Sequence, residues 1–274
     1  MKRRFVLITL ALLLAASGCD YIDDPIEGDD PVPVDPNPVD VVNKVVLIKD
    51  FTGAQCVQCP AAAETAHELQ HQLGEDRIFV MGVHAGPLAQ PAGQFPNFTT
   101  EEGTQWYGNN DSNPLFSVDY VGLEPGHVLY VEQLDTPVVD ALQADPVFGV
   151  EISCTFDTLS RQLEAAVSMT ALAECTGDFW MTLCLVEDSL VGWQKIPGGL
   201  DREYVFRNVF RGTLNGADGE AVHNGPCQIH DRFEAQRSMT LDAAFNADHC
   251  CLVAYLYDLN QEKRILQTAV KKIK

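Results

Sequence analysis

The sequence of 274 residues is poor in basic side chains, with 18 Lys and Arg against 39 Asp and Glu. A net charge of −21 leaves no basic surface of the kind that binds a phosphate backbone, so nucleic acid is excluded as a partner. The apolar run at 5–16 is also shorter than the roughly twenty residues that a membrane-spanning helix needs. These shortages predict an acidic protein with an anionic surface.

The first eighteen residues have the composition of a signal peptide. Three basic residues at 2–4 precede the apolar run, and small residues follow it up to Cys19. The segment 15–19 is similar to a bacterial lipobox, in which the cysteine is acylated and becomes the new N-terminus. We therefore expect residues 1–18 to be removed and Cys19 to carry a palmitate-type anchor. The alternative is an ordinary signal peptide that is cleaved near Ser17.

Residues 19–40 are expected to form a tether between the lipid and the folded part. From Asp20 to Asp40 the sequence holds eight acids, five prolines and no basic residue, so it has little to bury. An acid-rich stretch after the lipidated cysteine resembles the surface-export signals of Bacteroidetes lipoproteins. Asp20 directly after Cys19 would instead mean inner-membrane retention in enteric bacteria. The expected location is the outer membrane or cell surface, with a periplasm-facing orientation left open.

Two patterns divide the rest of the chain near Asp145 and Pro146. Residues 41–145 mix apolar strands with helical segments, while residues 146–274 contain seven short strand-like runs between turns. The first region is predicted as strands at 45–51, 77–83, 114–118 and 127–131, helices at 60–73 and 137–144, and an insertion at 86–113. The second is predicted as strands at 148–156, 163–172, 179–186, 204–212, 233–245, 251–257 and 265–273. An α/β domain followed by an all-β sandwich of immunoglobulin type is the expected fold class.

A Cys-x-x-Cys-Pro motif occupies 56–60, where the first strand gives way to the first helix. Backbone N–H groups at a helix N-terminus and the helix dipole stabilise a thiolate, which favours Cys56 as a nucleophile. Cys59 follows within reach to resolve a mixed disulfide. A pair of this kind near a βαβ pattern is typical of thioredoxin-like redox proteins.

The residues around the motif resemble the thioredoxin family. In that family a buried Asp lies six residues before the first cysteine, as Asp50 does, and a cis-proline faces the disulfide. The resemblance implies a thioredoxin-like first domain with Asp50 as a proton acceptor beneath Cys59. It also implies that Asn113 and Pro114 shape the substrate-binding groove. Gln55 stands where the family has Trp, and Val-Gln replaces Gly-Pro between the cysteines.

Nearly the whole chain after residue 18 resembles the 28-kDa outer-membrane protein family of Bacteroidetes. The segments that carry this resemblance are the lipobox, KDFTG at 49–53, the Cys-x-x-Cys-Pro motif, VHAG at 83–86, LVED at 185–188, YVFRNVFR at 204–211 and VAYLYD at 253–258. Phe206 stands where His is common in the family. The resemblance implies a lipoprotein with a thioredoxin-like domain followed by a β-sandwich. Family members have been called adhesins or receptor antigens.

Other readings of the motifs fail on spacing or geometry. HELQH at 67–71 formally matches the zinc-protease pattern HExxH. With Ala62, Ala66, Leu69 and Leu73 facing the core, both histidines and Glu68 point to solvent, so no metal site is assigned. Proline after the second cysteine excludes haem attachment, and a zinc ribbon needs a second Cys-x-x-Cys pair. No cofactor is predicted.

Six further cysteines lie at 154, 175, 184, 227, 250 and 251. Disulfides are permitted in an exported protein, but six cysteines allow fifteen pairings and the sequence selects none of them.

Two functions remain open on these grounds. The first is a cell-envelope oxidoreductase that exchanges disulfides with protein partners through Cys56 and Cys59. The second is a surface adhesin or binding lipoprotein that contacts a protein ligand through its sandwich and its insertion at 86–113. In that case the Cys-x-x-Cys pair is a structural disulfide. The motif chemistry favours the first function, whereas the names given to family members and the large second domain favour the second.

Overall fold

The computed structural model describes residues 42–274, so the predicted signal peptide, the lipidated Cys19 and the tether at 19–40 lie outside the described residues. The described chain holds three α-helices: α1 (Cys59–Leu73), α2 (Glu101–Tyr107) and α3 (Asp135–Gln143). Its thirteen strands are β1 (Val46–Thr52), β2 (Ile78–His84), β3 (Leu115–Val118), β4 (Phe148–Phe156), β5 (Gln162–Ala171), β6 (Cys175–Glu187), β7 (Leu190–Ile196), β8 (Gly199–Phe206), β9 (Val209–Thr213), β10 (Glu220–Cys227), β11 (Arg232–Thr240), β12 (Cys250–Asp258) and β13 (Arg264–Lys272).

The largest sheet has eight strands and contains strands from both predicted regions. Its order is β13-β12-β6-β9-β2-β1-β3, with β10 paired to β6 beside β9. β1 and β2 are parallel, and β2 meets β9 through the parallel pair Gly82 and Val209. A Cβ atom on Gly82 would lie 3.3 Å from the carbonyl oxygen of Arg207, so glycine permits this close approach. The division into domains at 41–145 and 146–274 stays a prediction, while the sheet continues across it.

Helices α1 and α3 cover one face of β1, β2 and β3. Ala62 and Ala66 of α1 and Val138 of α3 pack against Ile48 and Val80 in one apolar cluster. Leu69 and Leu73 border the same cluster, so the predicted apolar stripe of α1 is confirmed. This arrangement leaves the carboxyl ends of β1 and β2 beside the start of α1.

Most of the remaining strands build a β-sandwich, while β7 and β8 form a separate two-stranded sheet. The three-stranded sheet β11-β5-β4 packs over β6 and β12. Alternate residues of β5, such as Leu163, Val167 and Met169, are buried against Leu183 and Leu252. This period-two pattern is what a strand with one face on a core requires. The described chain is therefore a mixed α/β region joined to a β-sandwich.

Two predicted elements are corrected by the structure, and two strands are added. The run at 204–212 is two strands, because the chain turns at Asn208, whose φ is +45°. The segment at 127–131 forms only one isolated bridge, between Phe116 and Leu129, rather than a hairpin strand. β7 and β10 were not predicted at all. The insertion at 86–113, predicted as a long loop or a small helical insertion, contains a small helix, α2.

Candidate functional site

Cys56 and Cys59 form a disulfide at the turn between β1 and α1, with their Cα atoms 5.4 Å apart. The turn is tight at Gly53, where an added Cβ atom would lie 2.4 Å from the carbonyl oxygen of Leu88. Helix α1 begins at Cys59 rather than at Cys56, and Pro60 occupies its first turn, where a missing N–H is tolerated. Cys56 therefore lies just outside the helix, in front of its N-terminus.

The N-terminus of α1 points donors at the Cys56 sulfur. The backbone N–H of Cys59 donates to Cys56 Sγ over 3.1 Å. Among the described residues no side chain caps this helix end, and its first turn carries no acidic residue. Free N–H groups and the positive end of the helix dipole favour a negative charge on this sulfur. The geometry thus stabilises a Cys56 thiolate after reduction.

Asp50 lies behind the disulfide. It follows Val46 and Ile48 on the face of β1 that meets α1, and its residue exposure is 3%. Asp50 Oδ1 has no hydrogen-bond partner within residues 42–274, and burial raises the pKa of this carboxyl to about 8. Asp50 and Cys59 both line a cavity of about 230 Å³. A carboxyl group that changes protonation near neutral pH is therefore placed beside the second cysteine.

His84 ends β2 and lines the same cavity. It lies opposite Thr52 in the parallel ladder, two residue pairs beyond Asp50 and Gly82. Burial, assisted by the positive charge of Arg211, lowers the pKa of His84 to about 3. Its ring packs edge-to-face against Phe98 and Phe206, at centroid distances of 5.0 and 5.3 Å. The imidazole is therefore neutral near pH 7. Its ring forms part of the aromatic lining of the cavity.

The hairpin of β7 and β8 covers the site, and the sequence did not predict this cover. Gln194 Nε2 donates to the carbonyl oxygen of Cys56 over 2.8 Å, and the N–H of Lys195 donates to the carbonyl oxygen of Ala54 over 2.9 Å. Cys56 and Cys59 are consequently only 1% and 2% exposed. Pro197 and Gly198 between the two strands were the available turn signal.

The Asn113–Pro114 peptide bond is cis, as predicted. Asn113 Nδ2 donates to the carbonyl oxygens of Phe51 and Ala85 over 2.8 and 3.0 Å. These bonds hold the dipeptide at the ends of β1 and β2, the edge from which the cysteine turn departs. A substrate-binding role for Asn113 and Pro114 stays a prediction.

The HExxH-like segment does not converge on this site as a unit. His67 is half-buried, lines the cavity and contacts Gln70 Oε1 through Nδ1 at 3.2 Å. Glu68 and His71 are exposed. In the part of the chain that the structure describes, no group of three or more His, Cys, Asp or Glu side chains could hold a metal ion.

None of the described helices is both long and apolar enough to cross a membrane.

Comparisons with known proteins give a likeness in fold. No protein-family model matches the sequence, and no curated protein matches it. HBP35 of Porphyromonas gingivalis has a similar structure, with a TM-score of 0.64 at 15% identity over 84% of this chain and 76% of that one. A domain of the outer membrane lipoprotein Omp28 from the same organism matches with a TM-score of 0.35 at 17% identity, over 48% of this chain and 91% of that one. The first likeness shows a shared fold.

Proposed function

We propose that this protein exchanges disulfides with protein partners through Cys56 and Cys59, on a thioredoxin-like region. One observation carries the proposal: the Cys59 N–H points at Cys56 Sγ while the buried carboxyl of Asp50 shares a cavity with Cys59. A thiolate-stabilising helix end and a proton-accepting group are the two aids that the reaction needs.

The chemistry follows from these positions. The Cys56 thiolate attacks one sulfur of a partner disulfide, which forms a mixed disulfide and releases the other partner sulfur as a thiolate that takes up a proton. The ionised form of Asp50 takes the thiol proton of Cys59, the Cys59 thiolate attacks Cys56 Sγ, and the second partner sulfur leaves as a thiolate that takes up a proton. The Cys56–Cys59 disulfide forms, and the partner leaves as a dithiol. The same steps in reverse oxidise a partner dithiol.

We further propose that the protein is a lipoprotein of the outer membrane or cell surface, anchored through Cys19. The lipobox-like segment at 15–19 and the acidic tether after it support this location. The motifs shared with the 28-kDa outer-membrane protein family of Bacteroidetes support the same assignment. Partners would then be exported proteins that carry thiols or disulfides.

The test uses the form that lacks residues 1–19. Reduction of insulin disulfides by dithiothreitol is followed with the unaltered form, with Cys56→Ala and with Cys154→Ala as a matched control that removes a remote thiol. We expect turnover in the unaltered and Cys154→Ala forms and only the background rate in Cys56→Ala. Equal rates in all three would remove the support for exchange.

A binding lipoprotein with a structural Cys56–Cys59 disulfide is the second candidate. The hairpin cover favours it, since a cysteine that is 1% exposed cannot meet a partner disulfide until Gln194 and Lys195 move. Reduction of the pair by dithiothreitol distinguishes the two functions. A disulfide that resists reduction in the folded protein supports binding, and one that is reduced within minutes supports exchange.

A further inference from the structure

Two other cysteines face each other across a strand pair of the sandwich. Cys175 begins β6 and Cys227 ends β10, and the antiparallel register places them directly opposite each other. Directly opposed residues have Cα atoms about 4.5–5.5 Å apart, which lies within the disulfide range of about 4.4–6.8 Å. The two side chains are also close enough for each to shift the pKa of the other. The strand register therefore allows a bond between their sulfur atoms.

A bond between Cys175 and Cys227 would tie the end of β10 to the start of β6. β10 pairs with β6 and with no other strand of the described chain, so its end at Cys227 is a free end of the ladder. Cys227 is buried in the sandwich core, while Cys175 is half-buried at its border. The partial exposure of Cys175 leaves one sulfur accessible to an oxidant.

The opposite face of the sheet holds two of the remaining thiols. Cys184 and Cys251 belong to the apolar cluster formed with Trp106 and Tyr255, whereas Cys227 packs in the sandwich core. Since side chains on opposite faces of a sheet cannot meet, neither thiol competes for Cys175 or Cys227.

The last two thiols lie at the far end of β6. Cys250 is paired with Glu187, which is twelve residues or roughly 40 Å along the strand from Cys175. Cys154 Sγ contacts the carbonyl oxygen of Lys272 near that same end. The sequence left the disulfide pairing of six thiols open. Of these, Cys175 and Cys227 can pair with each other and not with the other four.

We propose that Cys175 and Cys227 form a second disulfide in the exported protein, separate from the Cys56–Cys59 site. One Sγ–Sγ bond forms, and the two thiols lose two protons and two electrons. These reduce the disulfide of an oxidant, such as oxidised glutathione, to two thiols. The bond closes a loop of the chain that contains β7, β8 and β9.

Peptide mapping of the full chain tests this inference. The protein is equilibrated with oxidised and reduced glutathione, alkylated with N-ethylmaleimide in urea so that buried free thiols also react, digested with trypsin and analysed by tandem mass spectrometry without reduction. We expect a linked peptide pair that contains Cys175 and Cys227 and separates on reduction. In Cys175→Ala, Cys227 becomes alkylated. In the Cys154→Ala control the linked pair persists.

Two results would overturn the inference. One is alkylation of both Cys175 and Cys227 under conditions that keep Cys56 and Cys59 linked. The other is linkage of either cysteine to a different residue. The map of the unaltered protein decides the matter even where a variant fails to fold. The peptide map is also independent of the proposed exchange activity. Insulin reduction depends on Cys56, whereas the map reports whether Cys175 is linked.

Discussion

Both cysteine pairs of this protein are close enough to form a disulfide, but their chemical surroundings differ. Cys56 and Cys59 are three residues apart in front of a helix, with a backbone donor on one sulfur and the Asp50 carboxyl in the adjoining cavity. Cys175 and Cys227 lie far apart in the chain, in an apolar core where burial, with the neighbouring Cys227 side chain, raises the pKa of Cys175 to about 12. Proximity permits a bond in both places, but only the first environment supports a thiolate. The comparison separates a pair suited to exchange from a pair suited to permanent linkage.

The largest expected effect concerns the cross-strand pair. Replacing Cys175 and Cys227 by Ala opens a loop of about 50 residues, which should lower the free energy of unfolding by about 4 kcal/mol relative to the oxidised protein. Urea denaturation of both proteins, with Cys154→Ala as the control, measures the difference. An unchanged stability would mean that Cys175 and Cys227 are not linked by a disulfide.

The next effect concerns Asp50. The unfolded carboxyl loses its proton near its ordinary pKa of 3.8, whereas the folded one holds it up to about 8, so the folded protein loses stability as pH rises between these values. Asp50→Asn removes this loss, and its stability relative to the unaltered protein should rise by about 3 kcal/mol between pH 5 and pH 7.

The control for this pH series is Asp111→Asn, which changes an exposed carboxyl. Urea denaturation at each pH supplies the free energies. A difference between Asp50→Asn and the unaltered protein that stays constant with pH would contradict a buried, protonated carboxyl.

Thiol reactivity should differ by at least about 100-fold between the two pairs once the protein is reduced. A thiol with a raised pKa is almost wholly protonated at pH 7, whereas the helix end increases the thiolate fraction of Cys56. Timed alkylation with iodoacetamide at pH 7, followed by mass spectrometry, compares Cys56 with Cys175. Equal rates would show that the helix end has no effect on reactivity.

The smallest effect concerns the cover over the first pair. Gln194→Ala removes the hydrogen bond to the Cys56 carbonyl and should cost about 1 kcal/mol of stability. It should also speed alkylation of reduced Cys56, because the hairpin opens more often. Gln236→Ala, on the exposed side of β11, is the matched control. A faster reaction in both variants would point to general loosening of the fold instead.

Much of the α/β region could be predicted because its signals are local. The apolar run of β1, the stripe of α1 and the Cys-x-x-Cys turn each depend on neighbours within a few residues. Asp50 faces the helix side because side chains alternate along a strand. The cis bond before Pro114 was expected from the resemblance to the thioredoxin family. Helix α1 begins at Cys59, one residue before the predicted start at 60, since helix ends depend on capping geometry.

The sandwich region was less predictable, because its elements depend on distant partners. β7 and β8 have exposed apolar residues such as Val191 and Val205, which face each other across the hairpin and leave no clear alternation of buried and exposed positions. The break between β8 and β9 follows from the left-handed backbone at Asn208. Neither feature has a strong signal in a single stretch of sequence.

Local spacing by itself determined that a cysteine pair lies where a strand meets a helix, with a carboxyl on the same side of the strand. Only the tertiary structure decided that Gln194, 138 residues further along the chain, closes over that pair. It also decided that Gly82 and Val209 join the two regions in one sheet and that Cys175 meets Cys227. Strand and helix periods arise from neighbouring residues, whereas pairing between distant strands depends on how the whole chain packs.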